Sequence, residues 1–159
     1  MNEFNWIIPI PNRPLSLEIR GTDTALTAIR ILRQETASAS APPGSLAAEA
    51  ARQLTQYFNG TRQTFDLPLD PKGTPFQKRV LMALVRVPFG ETLTYGELAA
   101  RANSPKASRA VGGVMAKNPL PIVIPCHRVL AAGGRIGGFT GGLDLKRMLL
   151  AIEGHPLGS

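Results

Sequence analysis

An α+β fold, with a small antiparallel-sheet lobe ahead of a mainly helical lobe, follows from three features of the 159-residue chain. Residues 15–32 alternate apolar and polar side chains around a Gly-Thr-Asp-Thr turn, the pattern of an antiparallel hairpin. Residues 74–118 carry apolar side chains at helical spacing, punctuated by Thr-Pro, Thr-x-x-Glu and Ser-Pro, which are helix starts. Asp70-Pro71-Lys72-Gly73 interrupts both patterns and divides the chain into lobes of residues 1–70 and 71–159.

In chain order, Phe4 to Ile10 adds a third strand to the hairpin of Leu15–Arg20 and Leu26–Leu32. Residues 34–44, rich in Ala and Ser and ending Pro42-Pro43-Gly44, have no periodicity and read as a mobile loop. From Ser45, the side chains of Leu46, Ala50, Leu54, Tyr57 and Phe58 share one helical face, which Asn59-Gly60 ends. Phe65, Leu67 and Leu69 alternate with polar or proline positions.

The second lobe opens with Thr74-Pro75, capping a helix that places Phe76, Val80, Leu81, Leu84 and Val85 on one face and stops at Pro88-Phe89-Gly90. Thr94 and Glu97 form a capping box for a short helix through Ala102, and Ser104-Pro105 caps the next, which runs to Asn118. Two short helices joined around Asn103 outline a helix-turn-helix. The second carries Lys106 and Arg109 outward and is otherwise made of small residues, among them Ser108, Ala110, Gly112 and Gly113. Each glycine inside a helix costs roughly 1 kcal/mol relative to alanine, so the pair points to a close backbone approach. Either DNA or a neighbouring helix could supply it.

Ile122 to Ile124 is a short apolar run stopped by Pro125, and predicts a buried strand delivering Cys126 at its end. His127 and Arg128 follow directly, an electropositive setting of the kind that lowers a thiol pKa and makes a nucleophilic thiolate. A lone cysteine is as often a small core residue. Gly133-Gly134, Gly137-Gly138 and Thr140-Gly141-Gly142 form a loop whose backbone can pass close to a planar ligand, although no phosphate-binding fingerprint is present. The last helix, from about Leu143, buries Leu145, Met148, Leu149 and Ile152 and ends at Glu153. A carboxylate there opposes the helix dipole. It is either a solvated acid at a frayed end or partnered, with neutral His127 the candidate.

Composition narrows the class. With 43% apolar residues the chain can build a core, its single cysteine excludes an internal disulfide, and two histidines are too few for a Cys/His zinc cluster. No leader pattern and no apolar run of membrane-spanning length is evident, which leads us to expect a cytoplasmic protein, or a nuclear one in a eukaryote. Residues 1–70 hold six Arg, no Lys and seven acids, net −1, whereas residues 71–159 hold five Lys, seven Arg and four acids, net +8. All the excess positive charge therefore lies in the lobe that carries Cys126. A polyanion such as nucleic acid is the expected partner.

Residues 71–157 resemble the O6-alkylguanine-DNA alkyltransferases, proteins of direct DNA repair. The motifs that carry the resemblance are Pro75-Phe-Gln-Lys-Arg-Val80, Thr94-Tyr95, Ser108-Arg-Ala-Val-Gly-Gly113, Asn118-Pro119, Ile124-Pro-Cys-His-Arg-Val129, Gly141-Gly142 and Glu153-Gly-His155. It implies that Cys126 accepts the alkyl group of O6-alkylguanine, or O4-alkylthymine, from duplex DNA with the damaged base flipped out. Each molecule would react once, because the thioether product has no good leaving group. His127 would act as a water-mediated base oriented by Glu153. Asn118 would brace the junction before the reactive segment, and Tyr95 would crowd the phosphate and hydrogen-bond the base. Arg109 would fill the vacated position, with Ser108, Ala110, Gly112, Lys106 and Arg128 on the DNA. Met115, Val129, Phe139 and Thr140 would form the base pocket.

The resemblance also implies binding in the minor groove, no cofactor or metal, and a monomer that can associate side by side on DNA. Phe139 stands where some relatives have tyrosine, and residues 34–44 do not align. A Cys-His hydrolase would need an oxyanion hole that nothing in the sequence marks, and a non-reacting sensor of alkylguanine would lack the cysteine.

Overall fold

Alternation in the N-terminal residues builds a sheet of order β1 (Glu3–Pro9), β2 (Ser16–Thr22), β3 (Leu26–Leu32), both pairs antiparallel, in a computed structural model that describes residues 2–38 and 40–158. Trp6 lies opposite Ile19, and Ile19 opposite Ile29. β2 and β1 pack on α1 (Leu46–Phe58), so Leu17, Ile19, Ala50, Leu54 and Tyr57 form one core. Burial of each large apolar side chain contributes about 1.5–3 kcal/mol. Ser45 caps α1 by accepting from the Ala48 amide at 3.1 Å. Gln53 donates to the Asp66 carbonyl and accepts from the Asp66 amide, which pins the segment after α1 against the helix.

The 34–44 loop is better anchored than its composition suggests. Ser16 Oγ accepts from the Thr36 amide (2.8 Å) and donates to the Gln34 carbonyl (2.7 Å). Ser38 and Ile7 exchange bonds, Ser38 N–H to the Ile7 carbonyl and Ile7 N–H to Ser38 Oγ. Hydroxyl side chains here do the work of a strand ladder. Ala39 lies outside the described residues.

Chain contacts divide the protein into two units, Met1–Lys72 and Gly73–Ser159. The second begins with α2 (Pro75–Val85), whose cap is a full capping box between Thr74 and Gln77. Its buried stripe is Val80, Leu81 and Leu84; Val85, expected on that face, is 41% exposed because it lies one 100° step beyond Leu84. β4 (Leu93–Thr94) leads into α3 (Tyr95–Arg101), again opened by a capping box, Thr94 with Glu97. α4 (Ser108–Ala116) packs on α3 and α2.

The helix-turn-helix is present, but α4 is shorter than expected at both ends. Asn103 adopts φ 60°, a left-handed conformation that asparagine tolerates, and the Ala107 amide closes a turn onto the Ser104 carbonyl. Helix therefore starts at Ser108 instead of Ser104-Pro105, and Lys106 sits on the preceding turn.

The expected strand at Ile122–Ile124 is not formed. All three side chains are buried, but the backbone makes a tight turn in which Pro121 bridges to Ile124 and Ile122 has φ 77°. A β-branched residue at positive φ is strained by about 1–3 kcal/mol and persists only where its surroundings fix it. A single 3₁₀ turn, Cys126–Arg128, follows and passes into β5 (Val129–Leu130). β5 pairs in parallel with β4, Leu93 against Val129 and Thr94 against Leu130. That pairing sets Tyr95, the first residue of α3, beside the strand that leaves Cys126. α5 (Leu143–Ile152) closes the unit, burying Leu145, Lys146, Leu149 and Leu150, while Met148 and Ile152 are only partly covered.

Candidate active site

Asn118 fixes the strained turn. Its Nδ2 donates to the Ile124 carbonyl at 2.9 Å, its Oδ1 accepts from the Leu120 amide at 3.0 Å, and its side chain also hydrogen-bonds the Cys126 thiol. The brace assigned to it from the resemblance is thus a bidentate clamp across residues 120–124 with the sulfur at its edge.

Cys126 is 7% exposed and faces a cavity of about 320 Å³. Tyr95 comes from α3, Gly112, Met115 and Ala116 from α4, and Gly138, Phe139 and Thr140 from the glycine-rich loop. Thr140 Oγ1 donates to the Ala116 carbonyl at 2.9 Å, tying the loop to the end of α4. The Tyr95 phenol hydrogen-bonds the backbone of Gly138; burial, reinforced by the Cys126 charge, raises its pKa and keeps it protonated. Val129, expected in this pocket, does not line it: its side chain is buried and its carbonyl accepts from Lys146.

The electrostatics of the thiol differ from those expected of a Cys-His-Arg run. Burial pushes the Cys126 pKa up, and the opposing influences are the Asn118 hydrogen bond and the positive charge of Lys146. His127 and Arg128 are occupied elsewhere, buried around Glu153. His127 Nε2 lies 2.6 Å from Glu153 Oε2. Burial lowers the His127 pKa, against the pull of Glu153, so the ring is neutral near pH 7. A neutral ring that donates Nε2–H to the carboxylate carries its lone pair on Nδ1.

Arg128, assigned to DNA, is instead interior. Its Nε and Nη2 donate to Glu153 at 2.8 and 3.0 Å, its Nη1 donates to the Val87 carbonyl at 2.6 Å, and its guanidinium lies over the Phe89 ring. Glu153 also accepts from the Gly90 amide at 3.0 Å. Burial alone would raise this carboxyl, but His127 and Arg128 outweigh it and hold the group well below the usual carboxylate range. Of the two readings of Glu153, the partnered one describes the molecule, and Arg128 is the second partner that the helix-dipole argument did not foresee.

Residue 146 went unread in the sequence. Lys146 is fully buried, and its Nζ donates to the Val129 carbonyl at 2.7 Å and the Gly138 carbonyl at 3.0 Å. A signal was available: Lys146, Leu149, Leu150 and Glu153 fall at i, i+3, i+4 and i+7, one face of α5.

The remaining candidates lie outward. Lys106, Ser108, Arg109 and Ala110 are exposed, and Ser108, Arg109 and Gly112 border a second cavity of about 600 Å³ with Thr94, Tyr95, Gly96, Ala132 and Gly133. Tyr95 and Gly112 line both cavities. Among the described residues, a Cβ built on Gly112 or Gly113 meets nothing within 4 Å, so no neighbouring helix there requires the glycine pair. The close approach they permit is from outside.

Residues 16–71 match the family described as 6-O-methylguanine DNA methyltransferase, ribonuclease-like domain, and residues 75–155 match its DNA binding domain. The chain is 42% identical over 150 residues to a methylated-DNA–protein-cysteine methyltransferase of Mycobacterium bovis, covering 92% of this chain and 89% of that protein. A protein of the same description from Methanosarcina acetivorans is 53% identical over 106 residues, 67% of this chain and 68% of the relative. Among solved structures, the chain is similar to the Mycobacterium tuberculosis OGT in complex with DNA, with TM-score 0.80 and 41% identity over 92% of this chain and 90% of that one.

Proposed function

The chain belongs to the 6-O-methylguanine DNA methyltransferase family, and from that premise we infer that it repairs DNA by moving the alkyl group of an O6-alkylguanine irreversibly onto Cys126. The observation that carries this reading is the thiol itself, nearly buried at a cavity of about 320 Å³ walled by Met115, Phe139 and glycine backbone, a volume suited to a planar base. A stacked base cannot reach such a thiol. The damaged guanine therefore leaves the duplex, at a cost of a few kcal/mol.

Arg109 enters the vacated position and offers donors to the widowed cytosine, while the small residues Ser108, Ala110 and Gly112 allow α4 to approach within the narrow groove. Lys106 adds backbone attraction. Contacts of this kind are chiefly to phosphate and sugar and carry little sequence preference.

Once the base is seated, the Cys126 proton passes through water to His127 Nδ1, and Glu153 stabilises the imidazolium. The thiolate sulfur attacks the alkyl carbon, an S–C bond forms, and the C–O6 bond breaks with its electron pair going to guanine. Tyr95, protonated and in the same cavity, donates towards the departing base. The imidazolium then releases its proton through water and the guanine anion takes one up. In balance, the thiol proton ends on guanine, the ring is neutral again and the protein carries a thioether, so each molecule turns over once. These steps call for no residue from a second copy, which supports a reading in which the protein is a monomer in solution and can associate side by side on DNA.

Intact-mass measurement after incubation with an O6-methylguanine oligonucleotide tests the reading. Stoichiometric gain of one methyl group on Cys126 is expected; tight binding with no adduct would make the protein a sensor, and continuing turnover of an ester would make it a hydrolase.

A further inference from the structure

Lys146 takes no part in the relay described above, yet lysine is among the residues least often fully buried without a charged partner within hydrogen-bonding distance. Its Nζ instead donates to two backbone carbonyls from different segments. One is Val129, three residues beyond Cys126; the other is Gly138, in the loop that walls the cavity.

We propose, on the premise that Cys126 is the alkyl acceptor, that Lys146 is a positioning residue for the transfer: by tying Val129 to Gly138 it holds the glycine-rich wall against the reactive segment, and it keeps a positive charge within range of the sulfur. The wall matters because Gly138 also bonds Tyr95, so one lysine fixes both the shape of the cavity and the placement of the phenol. The charge matters because Cys126 is buried, and a buried thiolate without a compensating cation is strongly disfavoured.

Burial depresses the Lys146 ammonium to about 8, with the Cys126 charge pulling the other way. The two groups therefore titrate as a coupled pair. Tyr95 from α3 faces the same pair and is held protonated; His127, on the reactive turn, feels the Lys146 charge, with Glu153 and Arg128 offsetting each other behind it. Asp144, also on α5, is exposed.

The test uses a small thiol reagent that needs no guanine pocket, so that it reads Lys146 independently of the proposed substrate. Alkylation of Cys126 by iodoacetamide would be followed by intact mass across pH in wild type, Lys146→Met and Lys146→Arg. Removal of the charge should move the midpoint of the profile upward by about one unit or more, and arginine should restore most of that shift. Transfer from free O6-benzylguanine should fall about tenfold or more in Lys146→Met, with partial recovery in Lys146→Arg.

A second measurement needs only the native protein, should Lys146→Met fail to fold. Carbon-13 titration of Lys146 before and after capping Cys126 with iodoacetamide should show its pKa falling by about half a unit or more, since the thiolate that favoured the ammonium is gone. A Lys146→Met profile that overlays wild type, or a lysine titration indifferent to capping, overturns the proposal. Failure of wild type to take methyl from DNA would instead overturn the alkyl-acceptor reading, and leaves the iodoacetamide result to judge Lys146.

Discussion

The outer face of α4 and the cluster around Glu153 belong to the same unit and are built on opposite rules. Arg109, Ser108 and Gly112 on α4 are at the surface, and the glycine pair could carry a Cβ without touching the rest of the chain. Glu153, by contrast, holds His127, Arg128 and the Gly90 amide at 2.6–3.0 Å inside the protein. Binding residues are thus left free for a partner, and chemical residues are fixed in advance by the fold. Substitutions on α4 should therefore alter DNA handling with little effect on stability, whereas substitutions in the cluster should alter chemistry and stability together.

The largest effect isolates the sulfur. Cys126→Ala should abolish methyl transfer while retaining duplex affinity, because the α4 face is untouched; mass spectrometry and a gel-shift titration check the two halves. Methyl transfer surviving in this variant would sink the mechanism.

Glu153→Gln should break the inner side of the comparison. From the sequence, where Glu153 is either a solvated acid or a partner for His127 alone, the fold would be expected to change little. In the structure the same carboxylate neutralises buried Arg128, and removing one member of a buried ion pair costs about 3–5 kcal/mol. Denaturant unfolding should show that loss, and transfer should slow at the same time. A variant as stable as wild type would mean that Arg128 finds another partner.

Stability against pH sharpens the same point. His127 is depressed below its ordinary 6.5, so below about that pH the unfolded chain takes up a proton that the folded ring resists, and stability falls. Glu153 is depressed below its ordinary 4.5, so its contribution is complete above that value and is lost as pH falls further. Melting temperature should therefore decline from about pH 6.5 downward, and the lower part of the decline should be smaller in Glu153→Gln, where other depressed carboxyls such as Glu18 still supply part of it. A flat profile from pH 7.5 to 4 would contradict the assignment.

Gly112→Ala is the smallest effect and probes the outer side. With nothing within 4 Å of the new methyl, alanine should stabilise the helix by about 0.5–1 kcal/mol while weakening duplex binding. A destabilised variant would mean that the glycine serves the fold after all.

What could be read from the sequence, and what could not, follows the same division. The Thr74-Pro75 start and the Thr94–Glu97 capping box announced α2 and α3 because helix starts are local signals within a few residues, and the structure adds a second capping box between Thr74 and Gln77. The outward set on α4 was legible from small residues and charge. The strand expected at Ile122–Ile124 failed because an apolar run reports burial and not backbone path; the path is set by Asn118, which reaches across from residue 118 to bond Leu120 and Ile124. Arg128 was misplaced because the resemblance assigned it to DNA by its place in the motif, whereas the 3₁₀ turn directs it, together with His127, onto buried Glu153. Lys146 was hidden by the habit of reading lysine as surface, although its spacing with Leu149 and Glu153 placed it on the buried face.

The division of labour between α4 and the Glu153 cluster is tested most directly by Arg109→Ala on two substrates. Duplex DNA containing O6-methylguanine requires base extrusion; free O6-benzylguanine does not. Transfer from the duplex should slow by about tenfold or more, while transfer from the free base should stay within about twofold of wild type, since the cost of unstacking falls only on the first. Equal loss on both substrates would show that Arg109 supports the fold or the cavity, and would contradict the separation of extrusion from chemistry.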